Sequence, residues 1–162
     1  MNQRNRPRTV RQSILDRLVD KRWVEPKGWD DSIEQLKSNL LRDLECLLNT
    51  RESGSPATAP RVELERSIYN YGLPDFASMS ADSSATPARL LRAIEREIEL
   101  FEPRLTDVRI SQALEKDGKD KKKQSLEVKF VIEATLRLDP DPERVHFDTV
   151  LEMSAGHFTV AD

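Results

Sequence analysis

The residue types that most often do chemistry in proteins are scarce in this chain. Its 162 residues include one cysteine, Cys46, and two histidines, His146 and His157. The histidines have no cysteine or carboxylate cluster at the spacing of a metal site, and no sequence context pairs either of them with Cys46 as a nucleophile. The five glycines form none of the motifs that cradle phosphates or expose a catalytic serine. The sequence therefore favours a protein that is not an enzyme and that uses no metal or cofactor.

Carboxylates are abundant, which leaves one enzymatic alternative open. Among 29 Asp and Glu residues, some pair would lie by chance at the separation that glycoside hydrolysis requires. The general acid also needs an apolar environment that raises its pKa, and aromatic residues concentrate only around the segment YNYGLPDF at 69–76. A lysozyme-like glycosidase that cleaves peptidoglycan is the hypothesis from this functional class.

A second constellation is the triplet Glu102, Pro103 and Arg104, which follows a helical pattern directly. The proline restricts the chain, so that a carboxylate and a guanidinium lie close together at a corner. The planar guanidinium could pair with a carboxylate or with carbonyls of a partner protein. It could also form an intramolecular salt bridge that fixes the corner, and residue types alone favour this second interpretation.

A third constellation is a long strand with a lysine-rich turn before it, at Lys119 and Lys121–Lys123. Apolar residues alternate strictly over Leu126–Leu138, which predicts a strand about 40 Å long. A solvated hairpin end is the commoner use of such a turn, but the length of the strand favours pairing with the sheet edge of another subunit. The candidate interface residues are Leu126, Val128, Phe130 and Ile132.

The helices that would position these residues come first in the sequence. Apolar residues at helical spacing predict a short helix over 12–22, a second helix opened by a capping box at Asp31 and Glu34, and a third that starts at Thr86 and ends before Pro103. Cys46 falls on the polar side of the second helix. Gly72 is expected to end a short helix with a positive φ angle.

The last third of the chain changes to a period of two. Alternation at Val108 and Ile110, over Val145–Leu151 and over His157–Val160 predicts three strands beside the long one. Helices followed by an antiparallel meander define an α+β fold, in which N-terminal helices pack on a small antiparallel sheet formed by the C-terminal third. We expect a basic flexible arm at 1–12 and a single domain at 13–162.

The charge composition points to a surface that other proteins complete. Charged residues make up 34% of the chain and hydrophobic residues 37%, and the net charge is −3. The arm carries four arginines and no acid, so the remainder has a net charge of −7. A chain of this charge is not typical of a nucleic-acid-binding domain. The absence of an apolar leader or membrane-spanning run and the single cysteine favour a cytoplasmic location.

Four motifs in order resemble those of the TssE family of type VI secretion baseplate components. They are DRL at Asp16–Leu18, LLNTR at Leu47–Arg51, SIYNYGLPDF at Ser67–Phe76 and FEPRL at Phe101–Leu105. More broadly, the chain is similar to baseplate wedge proteins of contractile phages, a family that also carries a lysozyme-like name. The resemblance covers most of the chain, from about Ile14 to Leu151.

The resemblance implies a structural role in a contractile apparatus rather than catalysis. The expected partners are the wedge subunits TssF and TssG and the sheath proteins TssB and TssC, with TssK and other baseplate proteins as further candidates. In the family, the triplet matching Glu102, Pro103 and Arg104 contacts the helical bundle of the wedge. The small sheet resembles a sheath domain that exchanges strands with its neighbours. The assembly lies at the cytoplasmic face of the inner membrane, and a prophage tail protein is the alternative origin.

Overall fold

Helices precede strands in the described part of the chain, which in this computed structural model comprises residues 10, 13, 16, 18, 26–52, 62–74, 86–113, 127–139, 141–152 and 155–161. The helices are α1 (Trp29–Asn49), α2 (Val62–Glu65) and α3 (Thr86–Phe101), with a 3₁₀ turn at Ile68–Asn70. The strands are β1 (Leu105–Gln112), β2 (Glu127–Leu136), β3 (Glu143–Glu152) and β4 (His157–Ala161). The predicted α+β class is confirmed. The chain divides into two compact units, Met1–Asp43 and Leu44–Asp162, and each is described by itself.

In the first unit, Ser13 caps the start of the predicted 12–22 helix. The backbone N–H of Asp16 donates to Ser13 Oγ at 3.1 Å, which is the bond of a serine N-cap, and the same hydroxyl donates to Asp16 Oδ2 at 2.7 Å. Asp16 and Leu18 are helical, as the spacing predicts, and Leu18 is 76% exposed. The other residues of 12–22, and all of the 1–12 arm except Val10, lie outside the described residues.

Asp16, from the DRL motif, is buried and forms an ion pair with α1. Arg42 Nη2 donates to Asp16 Oδ1 at 2.5 Å and to Asp43 Oδ1 at 2.8 Å. These bonds, the one to Asp16 first, raise the pKa of the Arg42 guanidinium above its usual value. Because a buried carboxylate without a partner is costly, Arg42 gives the motif aspartate a structural role within this unit.

Helix α1 begins two residues before the predicted capping box. Gly28 O accepts from the backbone N–H of Ser32 at 3.2 Å, and Asp31 lies inside the first turn, where its carboxylate accepts from the N–H of Lys27 at 3.3 Å. Its negative charge in the first turn still interacts favourably with the helix dipole. The predicted apolar face is confirmed at Leu36, Leu40, Leu44, Leu47 and Leu48, all buried, and Cys46 is exposed as expected.

Helix α3 follows its predicted bounds and leads through a corner into β1. The buried positions Leu90, Ile94 and Ile98 confirm the apolar face, while Arg92, Arg96 and Glu99 are exposed. One buried residue was not predicted: Glu97 is only 7% exposed. None of the described helices is long and apolar enough to cross a membrane.

The four strands form an antiparallel meander in the order β1-β2-β3-β4. Strand β2 pairs with β1 on one side and with β3 on the other, so β2 is an inner strand and not an edge that could accept another chain. Strict alternation reports only that one face of a strand is buried, whereas its place in the sheet is set by which neighbours pair with it. The edges of the described sheet are β1 and β4.

Strand β1 contains a bulge at Asp107. Thr106 pairs with Thr135 and Arg109 pairs with Glu133, so two residues of β1 lie opposite Ala134. Asp107 takes up the extra residue with φ +53°, a conformation that aspartate tolerates better than most residues. The bulge keeps both Leu105 and Val108 on the buried face despite their spacing of three.

Thr149 is the polar exception among the inward-facing residues of β3. Its Oγ1 is buried without a hydrogen-bond partner. Replacement with valine keeps the shape and removes a buried hydroxyl that has lost its water, so Thr149→Val should stabilise the protein by about 1 kcal/mol. Urea denaturation measures the change, with Thr159→Val on the exposed side of β4 as the control. A less stable Thr149→Val variant would show that the hydroxyl is bonded in solution.

Candidate partner-binding sites

The LLNTR motif is the point where three parts of the second unit meet. The side chain of Asn49 holds β4: its Nδ2 donates to Phe158 O at 2.9 Å, and its Oδ1 accepts from the Phe158 N–H at 2.8 Å. One residue on, Thr50 O accepts from the N–H of Leu73 at 2.8 Å, and the N–H of Glu52 donates to Leu73 O at 3.0 Å. The motif therefore joins the end of α1 to β4 and to the YGLP segment.

Gly72 makes this junction possible. It has φ +112°, as the predicted positive angle requires, and a Cβ at this position would lie 2.4 Å from Thr50 O. The next residue, Leu73, is buried, and Tyr71 packs edge-on against Phe101 with ring centroids 5.3 Å apart. Two of the family motifs, LLNTR and the glycine-containing aromatic segment, are thus in direct contact.

The same segment exposes apolar side chains on its 3₁₀ turn. Ile68 is 90% exposed and Tyr69 is about half exposed, although Ser67 fixes the turn by accepting from the Tyr69 N–H at 3.3 Å. The two neighbouring side chains place exposed apolar surface on an ordered turn, where a partner protein could cover it.

The triplet Glu102, Pro103 and Arg104 forms a fixed corner between α3 and β1. Glu102 is buried, and both of its carboxylate oxygens accept from Arg104, Oε1 from Nε at 2.6 Å and Oε2 from Nη2 at 2.5 Å. The backbone contributes further bonds, from Glu102 N–H to Ile98 O and from Arg137 N–H to Arg104 O, both 2.8 Å long. The intramolecular salt bridge is therefore present, while Pro103 is exposed and Arg104 remains about a quarter exposed.

The other predicted interface residues lie mostly inside the fold. Phe130 and Ile132 are buried in the core, and Val128 is half-buried. Leu126 lies outside the described residues. A contact between these residues and a partner sheet stays a prediction. The edge strands of the described sheet are β1 and β4.

Sequence reasoning missed Glu97, a buried acid on α3. Oε2 of Glu97 is buried without a hydrogen-bond partner. Burial raises the pKa of its carboxyl to about 7, while Arg96 has an opposing effect and Glu52 adds a smaller increase. Its burial could have been predicted from the sequence, because Glu97 lies three residues after Ile94 and four before Phe101, in the middle of the apolar stripe of α3.

Glu97 satisfies one requirement of the glycosidase hypothesis but not the requirement for access. Its raised pKa suits a general acid. However, Oε2 has almost no solvent-accessible surface. A cavity of the described residues lies elsewhere, on the sheet between Arg109, Glu133, Arg144 and His146. The described residues contain no group of three or more His, Cys, Asp or Glu that could hold a metal ion.

Comparison with known proteins identifies the class. Residues 34–141 match the family described as baseplate wedge protein gp25, and the chain belongs to this family. That range contains the Asn49–Glu52 junction, Gly72 and the corner at Glu102–Arg104, and the family is a structural component of baseplates.

One solved chain that matches comes from a structure described as "The baseplate complex from the type VI secretion system". Its sequence identity to this chain is 17%, and the TM-score is 0.45. The similarity covers 72% of this chain and 94% of that chain. No curated protein matches this chain.

Proposed function

We propose that this protein is a structural wedge subunit of a type VI secretion baseplate. In this role it binds TssF and TssG, and it links the baseplate to the TssB/TssC sheath, whose assembly it templates. TssK and other baseplate proteins are further candidate partners. The assembly forms at the cytoplasmic face of the inner membrane, and the protein has no catalytic activity. Membership of the baseplate wedge family supports the structural role, and the resemblance of the four sequence motifs to TssE supports the type VI system, while neighbouring genes would separate it from a phage tail.

The corner at Glu102–Arg104 is the proposed contact with the TssF–TssG helical bundle. Its backbone is fixed by hydrogen bonds to α3 and to the residue that follows β2, so the exposed Pro103 and the exposed part of Arg104 are held in one place. A rigid surface loses little conformational entropy on binding, which favours affinity. The Glu102 carboxylate orients the guanidinium, and this is compatible with a contact to carbonyls of the partner.

One edge of the sheet is the proposed contact with the sheath. Strand β1 bonds to β2 on one side, whereas on β4 the N–H and C=O of Phe158 are already bonded to the side chain of Asn49, so β1 is the edge that we propose. An added strand from a sheath subunit would extend the sheet there by β-augmentation. This proposal replaces the expectation that the long strand β2 provides the edge.

Co-purification tests the function directly. The protein is co-expressed with TssF and TssG from the same gene cluster, and a ternary complex on size exclusion supports the proposal. Failure to form it, together with binding to tail proteins of a neighbouring prophage, would favour the phage alternative. Clearing of purified peptidoglycan by the wild type, abolished in a single Asp or Glu variant, would favour the glycosidase.

Arg104→Ala should weaken capture of TssF–TssG at least tenfold while the subunit stays folded. A charge-assisted contact of this kind is typically worth more than 1.4 kcal/mol, which corresponds to tenfold in affinity. Titration of the purified complex measures the affinity, and circular dichroism confirms the fold. Arg109→Ala, an exposed arginine on β1, is the matched control. If Arg104→Ala unfolds the subunit but its folded fraction binds normally, the salt bridge serves only the corner.

A further inference from the structure

The buried face of α3 contains a carboxylate oxygen for which the described part of the chain supplies no hydrogen-bond partner. Glu97 lies on the stripe formed by Leu90, Ile94, Ile98 and Phe101, where an apolar residue would pack without cost. Its Oε2 has no hydrogen-bond partner, although buried polar atoms almost always have one. An unpaired buried carboxylate is therefore a feature that requires an explanation beyond the stability of this subunit.

The charges around Glu97 offset the effect of its burial only in part. Arg96, on the exposed side of the same helix, lowers the pKa of Glu97, Glu52 raises it by a smaller amount, and the effect of burial remains the largest. Glu52 is half-buried, so the acidic pair reaches the surface at that residue. The two residues supply the acidic side of a salt bridge. One carboxylate is buried and the other is partly accessible.

The segment beside this pair already has the character of an interface. Glu52 bonds to Leu73, and Tyr71 packs on Phe101, which lies one turn after Glu97. The exposed Ile68 and Tyr69 precede Tyr71 by two to three residues, so they lie within about 10 Å of it along the chain. An apolar turn next to an acidic pair suits a partner surface that carries one basic side chain among apolar residues.

We propose that Glu97 and Glu52 form an acceptor site for an arginine or lysine side chain of a neighbouring baseplate subunit, which seats against the Ile68–Tyr69 turn. The basic side chain enters at Glu52, and Glu97 turns toward it. The carboxylate that is unpaired in the isolated subunit is then paired in the assembly. A single side chain needs only a narrow entry, unlike a polysaccharide, which needs an open cleft. This inference rests on the proposed function, because the neighbour is the TssF–TssG pair.

Glu97→Gln tests the site, with Glu99→Gln on the exposed side of the same helix as the control. Glutamine keeps the shape and removes the charge. We expect Glu97→Gln to bind purified TssF–TssG at least tenfold more weakly than the wild type, whereas Glu99→Gln binds normally. Isothermal titration at pH 7 in phosphate and in Tris should also detect release of about half a proton per complex in the wild type, and none in Glu97→Gln, since a cation ionises a carboxyl that titrates near 7.

Thermal unfolding of the isolated subunit supplies a second readout. In the unfolded chain Glu97 ionises near 4.5, and in the folded chain only near 7, so stability is lost as the pH rises through that window. We expect Glu97→Gln to raise the Tm by about 5 °C at pH 8 and by little at pH 4.

Normal binding by Glu97→Gln with unchanged proton release would overturn the acceptor site while leaving the proposed function intact. A lower Tm of Glu97→Gln at pH 8 would also overturn it, because the carboxylate would then be stabilised within the subunit. Failure of the wild type to bind TssF–TssG contradicts the proposed function itself and removes the partner of this site. The wild-type titration therefore separates the two failures.

Discussion

Gly72→Ala should destabilise the second unit by about 3 kcal/mol, the largest effect that we expect from a single methyl group. At φ +112° an alanine is strained by about 1–3 kcal/mol. Its Cβ would also lie 2.4 Å from Thr50 O and 2.7 Å from Thr50 C, which are backbone atoms that cannot rotate away. Relief requires the two segments to separate, and this breaks the bond from Leu73 N–H to Thr50 O.

Urea denaturation of Gly72→Ala measures this loss, and Gly28→Ala is the control. A Cβ at Gly28 has nothing within 4 Å, so that substitution should change the free energy of unfolding by no more than about 0.5 kcal/mol. Similar values for the two variants would mean that the junction between Thr50 and Gly72 opens without cost and contributes little to the fold.

Asn49→Ala should destabilise the protein by about 2 kcal/mol and loosen β4 selectively. The substitution removes two hydrogen bonds and leaves the N–H and C=O of Phe158 without partners, next to a buried phenylalanine ring. Buried groups that lose their partner cost about 1–3 kcal/mol. The loss should be concentrated in β4, since β2 and β3 keep all of their pairing.

Hydrogen exchange at the Phe158 amide gives the most specific readout for Asn49→Ala. We expect this amide to exchange at least tenfold faster, while amides in the middle of β2 change only as global stability does. Asn39→Ala, on the half-buried side of α1, is the matched control. Unchanged protection at Phe158 would show that β3 alone holds the last strand.

The strands were predictable to the extent that one face of each is buried. In β3, Val145, Phe147 and Leu151 are buried as the alternation requires. The bulge at Asp107 was not predictable from a strict period, because it adds one residue and restores the same face afterwards. The strand order matches the predicted meander, although alternation by itself suits both an inner strand and an edge strand with one covered face.

Among the candidate sites, local contacts were predictable from the sequence and nonlocal contacts were not. The corner at Glu102–Arg104 was predictable because its partners are two residues apart, and local geometry brings them together. The contacts of Asn49 and Gly72 are nonlocal, and residue type alone does not say which distant backbone they meet. Glu97 was missed because apolar residues alone defined the face of α3, although its position in the stripe identifies it.

The hydrogen bonds between Asn49 and Phe158 can form only late in the synthesis of the chain. The two residues are 109 positions apart, so Asn49 leaves the ribosome long before the strand that it binds. Nonlocal contacts of this kind form late and slow the search for the native state. Until residue 158 emerges, the Asn49 amide bonds to water instead of β4, and Phe130 lacks the ring of Phe158, whose centroid lies 6.1 Å from its own in the folded protein. A nascent chain therefore lacks both contacts for most of its translation, and the last strand completes them together.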